Sequence, residues 1–376
     1  MGFQMAANVR KKMPSLATLH IFDVNNAACQ LFIEKNGSIG TIKIAQSAKE
    51  LASDSSTIIS MVPMDQHVRA VYLNRENGVI AAAGDPSRLI LECSTIGIAT
   101  TQEIGKEIMD AGLGVYVDTP VSGGVVGAEA ATLSFFCGYS GAVESDPIAK
   151  RIRDTVSYMG APKRVNFCGR LGAGLVCKIV NNYIGLSNIV VAAQGMAFGV
   201  RYGMDKETLY KCIKGSSGDS WVMDNAQPAP GVISQSASSN GFRAGFTPRL
   251  CIKDISLGIA AAQQVGIDAT MGKLAVSMFK MVDQDPRTTV SLLSHTYKTA
   301  SFITNLFSAR FRISTARQFG SISMIKWRFL PSLSQIPGSL MGSRTCPSSI
   351  VDKMRALHAI VSRKIVLDIT CLLEPD

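Results

Sequence analysis

"AGLVCKIVNNYIGLSNIVVAAQGMAFGVRYG" (173–203) divides the chain into two kinds of sequence. Its apolar residues run on with neither a turn signal nor a strict alternation, so it reads as one long helix. Upstream of it, short apolar runs alternate with helical patterns. Downstream of it, only helical patterns continue. A single lysine, Lys178, sits inside the apolar run with Val176, Cys177, Ile179 and Val180 around it. A lysine so placed snorkels to water, finds a partner, or works as a neutral amine.

The upstream half supplies the strands of a doubly wound sheet. "LATLHIFDV" (16–24) reads as a strand ending at Asp23, and "NAACQLFIEKNG" (26–37) as a helix stopped by glycine. "STIISMVP" (56–63), "RLILECST" (88–95) and "GVYVDTPVSGG" (114–124) read as further strands, with a helix over 97–112. Strands alternating with helices imply a parallel sheet covered on both faces. Downstream, "DKETLYKCIKG" (205–215) has Asp205 as its N-cap and Gly215 as its stop, and 252–266 and 270–282 are helical too. The expected architecture is a Rossmann-type α/β domain over 1–170, a helical domain over 171–287, and a tail over 288–376. The tail shows no sustained period and has prolines at 331, 337, 347 and 375, so it is expected to be irregular and poorly ordered.

Charge and composition narrow the partners. The net charge of +10 is concentrated in the tail, where 11 Lys/Arg face 4 Asp/Glu from residue 288 onward. The preceding 287 residues carry 27 against 24, a near balance that gives no reason to invoke nucleic acid. Nine cysteines without a C-x-x-C pair read as reduced thiols, and four scattered histidines give no metal spacing. No metal site is expected. No secretory signal is visible at the start. The longest apolar stretch, Tyr183–Val200, is interrupted by Asn188 and Gln194, which reads against a membrane span.

The start is read against the dinucleotide-binding fingerprint. "MGFQMAANVRKKM" (1–13) reads as a helix beginning directly after Gly2, and Asp23 follows 21 positions later. In such a unit the glycines open the first helix, and an acid about 20 positions on bonds the adenosine ribose. Gly2 fits the third glycine; the first strand and the first two glycines are not in the chain. In strand order 3-2-1-4-5-6 the first strand is central, so the strands ending at Asp23 and Pro63 are expected to face an empty slot. That predicts weak dinucleotide binding, unless a segment such as "RKIVLDIT" (363–370) fills the slot.

Three segments in this order, "DTPVSGGVVGAEAATLSF" (118–135), "GAGLVCKIVNN" (172–182) and "IKDISLG" (252–258), resemble the β-hydroxyacid dehydrogenase family. "SSGDSW" (216–221) and "PAPGV" (228–232) add to the likeness, which covers residues 2–287. The resemblance implies a Rossmann domain followed by a helical domain, NAD as cofactor, and a homo-oligomer, dimer or tetramer. It implies that Lys178 is the catalytic lysine and that Asn182, four residues on and on the same helix face, helps place the substrate. Taken alone, these two read as a snorkelling lysine and a polar helix residue. Ser122, Gly123 and Gly124, by themselves an ordinary glycine turn, would hold the substrate carboxylate with hydroxyl and backbone amides. Trp221 would lie near the substrate. Gly2, Asp23, Val62, Pro63, Thr95 and Lys253 would contact the cofactor. Asp23 argues for NAD over NADP, because a carboxylate suits two ribose hydroxyls and repels a 2′-phosphate.

The activity implied is oxidation of a small 3-hydroxy acid, 3-hydroxyisobutyrate to methylmalonate semialdehyde, a mitochondrial step of valine breakdown. Two alternatives stand beside it. One is a sister reductase acting on tartronate semialdehyde or a related short acid. The other is a non-catalytic homologue whose helical domain persists as an oligomerisation module.

Overall fold

In a computed structural model, which describes residues 1–241 and 246–285, the first 168 residues are α/β and the rest helical. All of these residues belong to one compact unit. The expectations for the tail, including a strand over 363–370, lie outside the described residues. The chain opens on α1 (Gly2–Lys12), then β1 (Leu19–Ile21), α2 (Asn26–Asn36), β2 (Ile42–Ile44), α3 (Ala48–Ser53) and β3 (Thr57–Ser60). It continues through α4 (Asp65–Leu73), β4 (Leu89–Glu92), α5 (Ile98–Asp110) and β5 (Val115–Asp118). Next come β6 (Val121–Ser122), α6 (Gly124–Glu129), β7 (Leu133–Cys137), α7 (Pro147–Val156) and β8 (Gly160–Phe167). The helical part is α8 (Ala173–Arg201), α9 (Lys206–Ile213), α10 (Trp221–Asn225), α11 (Pro248–Gln264) and α12 (Thr270–Asp283).

The strands are parallel where the sequence alternates with helices. β1 pairs with β2, and β3, β4 and β5 pair in that order, all parallel. Among the described residues no strand bridges β1 to β3. β6 pairs antiparallel with β7, and β7 parallel with β8, so the sheet system is mixed. Several strands are shorter than the apolar runs predict. β1 stops at Ile21, so Asp23 lies two residues past its end. The run over 114–124 breaks at Thr119–Pro120, where the proline has no N–H to give a ladder. β4 carries Leu89, Ile90 and Leu91, all fully buried, as a strand covered on both faces must.

Two apolar clusters flank the sheet and a third fills the helical part. Leu91, Val117, Phe135 and Ile152 centre one, while Ile90, Ile104, Tyr116 and the α8 residues Leu175 and Ile179 join in another. The first turns of α8 are therefore part of the α/β core. Its later turns pack with α11 and α12 through Leu186, Val190, Ile255 and Phe279. α8 is the one described helix long and apolar enough, by length and composition, to cross a membrane. Here its buried side is shared between these two cores. Val176, Val180, Ile184, Val191 and Phe198 remain exposed along it.

Candidate active site

Lys178 is buried, with 7 % of its surface exposed, between Leu175 and Ile179 of the sheet-side core. Its ammonium donates to Asn182 Oδ1 at 2.8 Å, one helical turn further along α8. Burial pushes its pKa down to about 8; the Asp254 carboxylate resists that shift and the Lys253 ammonium adds to it. Asn182 is fixed from its other end, because its amide donates to Asp254 Oδ2 at 2.6 Å. Asp254, in α11, is 2 % exposed, and its Oδ1 lies 2.9 Å from Lys253 Nζ. Lys253 in turn reaches across to the α/β part, where it donates to Thr95 O at 2.5 Å and Pro63 O at 3.3 Å. So Pro63, Thr95, Lys253, Asn182 and Lys178 form one connected polar chain, and Asp254 is the link that the sequence reading omitted. Its one visible sign was its place next to Lys253 in "IKD".

The loops at the sheet's carboxyl edge are braced by two acids that the sequence reading also omitted. Buried Glu92 accepts from Ser60 Oγ at 2.5 Å and from Ser94 N at 2.7 Å, and Ser94 Oγ accepts from Val62 N at 2.8 Å. Desolvation raises the Glu92 carboxyl pKa, and the hydroxyls and amide around it hold the anion. Asp65 Oδ2 accepts from Gly97 N at 3.0 Å and Thr100 Oγ1 at 2.8 Å, tying α4 to the start of α5. The loops after β3 and β4 are thereby held together where an α/β sheet takes ligands. Val62 N–H is already committed to Ser94.

Ser122 ends β6, half-buried, and Gly123 (φ +136°) and Gly124 (φ +65°) turn the chain into α6 with both residues exposed. These positive φ angles are the backbone reason for two glycines there. Trp221 stands at the first residue of α10, 71 % exposed.

A nicotinamide dinucleotide fits the residues present on two observations. α1 begins beside Met61, just past β3, with no side-chain cap and no acid in its first turn, as an anion-binding helix start requires. Asp23 lies exposed past β1, its Oδ1 accepting from Asn25 N at 2.8 Å. Gly2 and Asp23 would hold the pyrophosphate and adenosine-ribose ends, and the Pro63 and Thr95 loops with Lys253 the reacting end. Among the described residues, no group of three or more His, Cys, Asp or Glu stands in position to hold a metal.

Fold and site together define an NAD(P)-dependent oxidoreductase. Residues 1–168 match the family described as the NAD-binding domain of 6-phosphogluconate dehydrogenase. Residues 172–290 match the NAD-binding family of NADP-dependent 3-hydroxyisobutyrate dehydrogenase. The chain is 37 % identical over 283 residues to 3-hydroxyisobutyrate dehydrogenase of Pseudomonas aeruginosa, covering 75 % of this chain and 88 % of that one. It is 33 % identical over 282 residues to the NAD-dependent L-serine dehydrogenase of the same organism, covering 75 % and 89 %. A solved Mycobacterium tuberculosis 3-hydroxyisobutyrate dehydrogenase with L-serine superposes with a TM-score of 0.68 at 26 % identity, covering 81 % of this chain and 95 % of that one. The chain belongs to the 3-hydroxyisobutyrate dehydrogenase group of the β-hydroxyacid dehydrogenase family, and a nicotinamide dinucleotide is its cofactor.

Proposed function

We propose that this chain oxidises 3-hydroxyisobutyrate to methylmalonate semialdehyde with NAD, in mitochondrial valine breakdown. The observation that carries the reading is Lys178: a buried amine with a pKa of about 8, hydrogen-bonded to Asn182. A lysine at its ordinary value of about 10.4 is a poor base at neutral pH; one near 8 is neutral often enough to accept a hydroxyl proton. In oxidation, Lys178 takes that proton while hydride leaves the carbinol carbon. In reduction, its ammonium returns the proton to the carbonyl oxygen. The dinucleotide, when bound, supplies the hydride acceptor.

Asn182, anchored by Asp254, turns the Lys178 amine toward the substrate hydroxyl. The Ser122–Gly124 turn receives the carboxylate, and Trp221 adds a wall to the substrate site. Residues 1–170 serve the dinucleotide, residues 171–287 the substrate and self-association. The exposed stripe Val176, Val180, Ile184, Val191 and Phe198 favours a homo-oligomer, dimer or tetramer, that covers this face. Asp23 favours NAD over NADP.

A second reading keeps the chemistry and changes the acid. L-Serine is also a 3-hydroxy acid, and both a relative named for its oxidation and a structure containing it resemble this chain. Steady-state rates with 3-hydroxyisobutyrate and L-serine, and with tartronate semialdehyde in reverse, decide among them. The reading expects the highest kcat/KM for 3-hydroxyisobutyrate. A titration with NAD that detects no binding would favour the non-catalytic alternative.

A further inference from the structure

Asp118 ends β5 with its side chain fully buried, and its carboxylate lies against the start of α8. Oδ1 accepts from Gly172 N at 2.7 Å and Oδ2 from Leu175 N at 2.8 Å. A helix start is ordinarily capped by the residue at its own N-cap. At that place α8 has Gly172, at φ +92° and with no side chain to give. The cap comes instead from a residue 54 positions upstream, in another element. A buried anion is costly: desolvation raises the Asp118 carboxyl pKa, and the helix's positive end and the two amides offset part of that cost. The backbone is shaped around it. A Cβ at Gly138 would lie 1.9 Å from Asp118 Oδ1, and one at Gly174 2.9 Å from Oδ2 and 2.1 Å from Phe136 O. Gly138 N also donates to Asp118 O at 2.8 Å, which closes the end of β7 onto β5.

Asp118 joins the two segments that carry the halves of the proposed substrate site. Four residues after it comes Ser122. Three residues after its partner Leu175, about 4.5 Å of helix rise, comes Lys178. We propose that Asp118 is a positioning residue, which sets the distance between the Ser122–Gly124 turn and Lys178 by clamping α8 to the end of β5. This rests on the reading of that turn as the carboxylate anchor and of Lys178 as the base. A substrate held at both points depends on the clamp; one held only at its hydroxyl depends on it less.

The test is Asp118→Asn, which keeps the shape but presents an N–H₂ to one of two donors. Competitive acetylation of Lys178 across pH, read by peptide mass spectrometry, follows the lysine without any turnover. Asp254 and Lys253 are the charged groups acting on that lysine, and both stay intact in the variant. With the helix start released, water should reach Lys178 and its titration should move up toward about 10.4. In turnover, kcat/KM for the hydroxy acid should fall at least tenfold further than for a neutral alcohol of the same size, with the Kd for NAD unchanged. A lower melting temperature with an unmoved Lys178 titration would reduce Asp118 to a stabilising cap and overturn the proposal. Should Asp118→Asn not fold, amide exchange on the unsubstituted chain decides: Gly172 and Leu175 amides must be as protected as those of β5, and rapid exchange there overturns the clamp. An absence of turnover with a shifted Lys178 titration would count against the activity and leave the clamp supported.

Discussion

Lys178 Nζ donates a 2.8 Å hydrogen bond to Asn182 Oδ1, one turn along the same helix. The i,i+4 spacing makes that contact available to any helix. What gives it chemical weight is burial, which brings the amine's pKa to about 8.

Removing the amine tests the role directly. Lys178→Ala should lower kcat/KM by roughly 10²–10⁴, the usual worth of a positioned general base. NAD affinity, measured by fluorescence titration, should stay within about twofold. Lys178→Arg should be as inactive, since guanidinium does not give up its proton. Substantial activity in the alanine variant at neutral pH would remove the lysine from the mechanism.

The pH profile has a predicted sign. The base works when neutral, so kcat/KM for oxidation should rise through about pH 8 and level off above it. Asp254 holds the Lys178 pKa up, whereas Lys253 pushes it down. Asp254→Asn should therefore move the rise to lower pH, and Lys253→Gln should move it to higher pH. Shifts in the same direction would show that neither charge acts on Lys178 as described.

Asp23 is the residue proposed to set cofactor choice. No arginine follows it in "FDVNNAAC" (22–29), and the side chain is exposed past β1. NAD should be preferred strongly over NADP in kcat/KM, and Asp23→Ser should narrow the ratio by weakening NAD and relieving NADP. Equal rates with both cofactors in the unsubstituted chain would take Asp23 away from the ribose.

Ser122→Ala should raise KM for the hydroxy acid about tenfold, roughly the 1.5 kcal/mol of a hydrogen bond to a charged group. The loss should vanish for an alcohol without the carboxylate. If acid and neutral alcohol suffer alike, Ser122 serves something other than the carboxylate. Circular dichroism checks that the fold is unchanged.

Much of the fold was legible because its causes are local. The fully buried runs "LIL" in β4 and "VYV" in β5 read as strands, and Asp205 caps α9 as expected, its side chain accepting from Thr208 N at 2.8 Å. The strands that escaped notice, β2, β7 and β8, are short, mixed or largely exposed, and take their state from neighbours in the sheet. β1 reaches only Ile21, although the apolar run is longer. Pairing with a three-residue β2, and with no described strand on its other side, sets that length.

The sequence by itself determined the alternation of strands and helices, the long α8, and which residue types stand at Lys178, Asn182, Ser122 and Lys253. These follow from periodicity, turn chemistry and spacing within one element. It did not determine which acids serve the site. Asp254, Glu92, Asp65 and Asp118 each act on groups brought in from other parts of the chain: Asn182 is 72 positions from Asp254, and Gly172 is 54 from Asp118. A carboxylate's partners, and the desolvation that gives its charge or a lysine's neutrality any consequence, exist only once distant segments have packed and water has left. Tertiary structure alone decided that Lys178 neither snorkels nor floats free, but sits buried on Asn182, at the end of a polar chain that crosses from one core to the other.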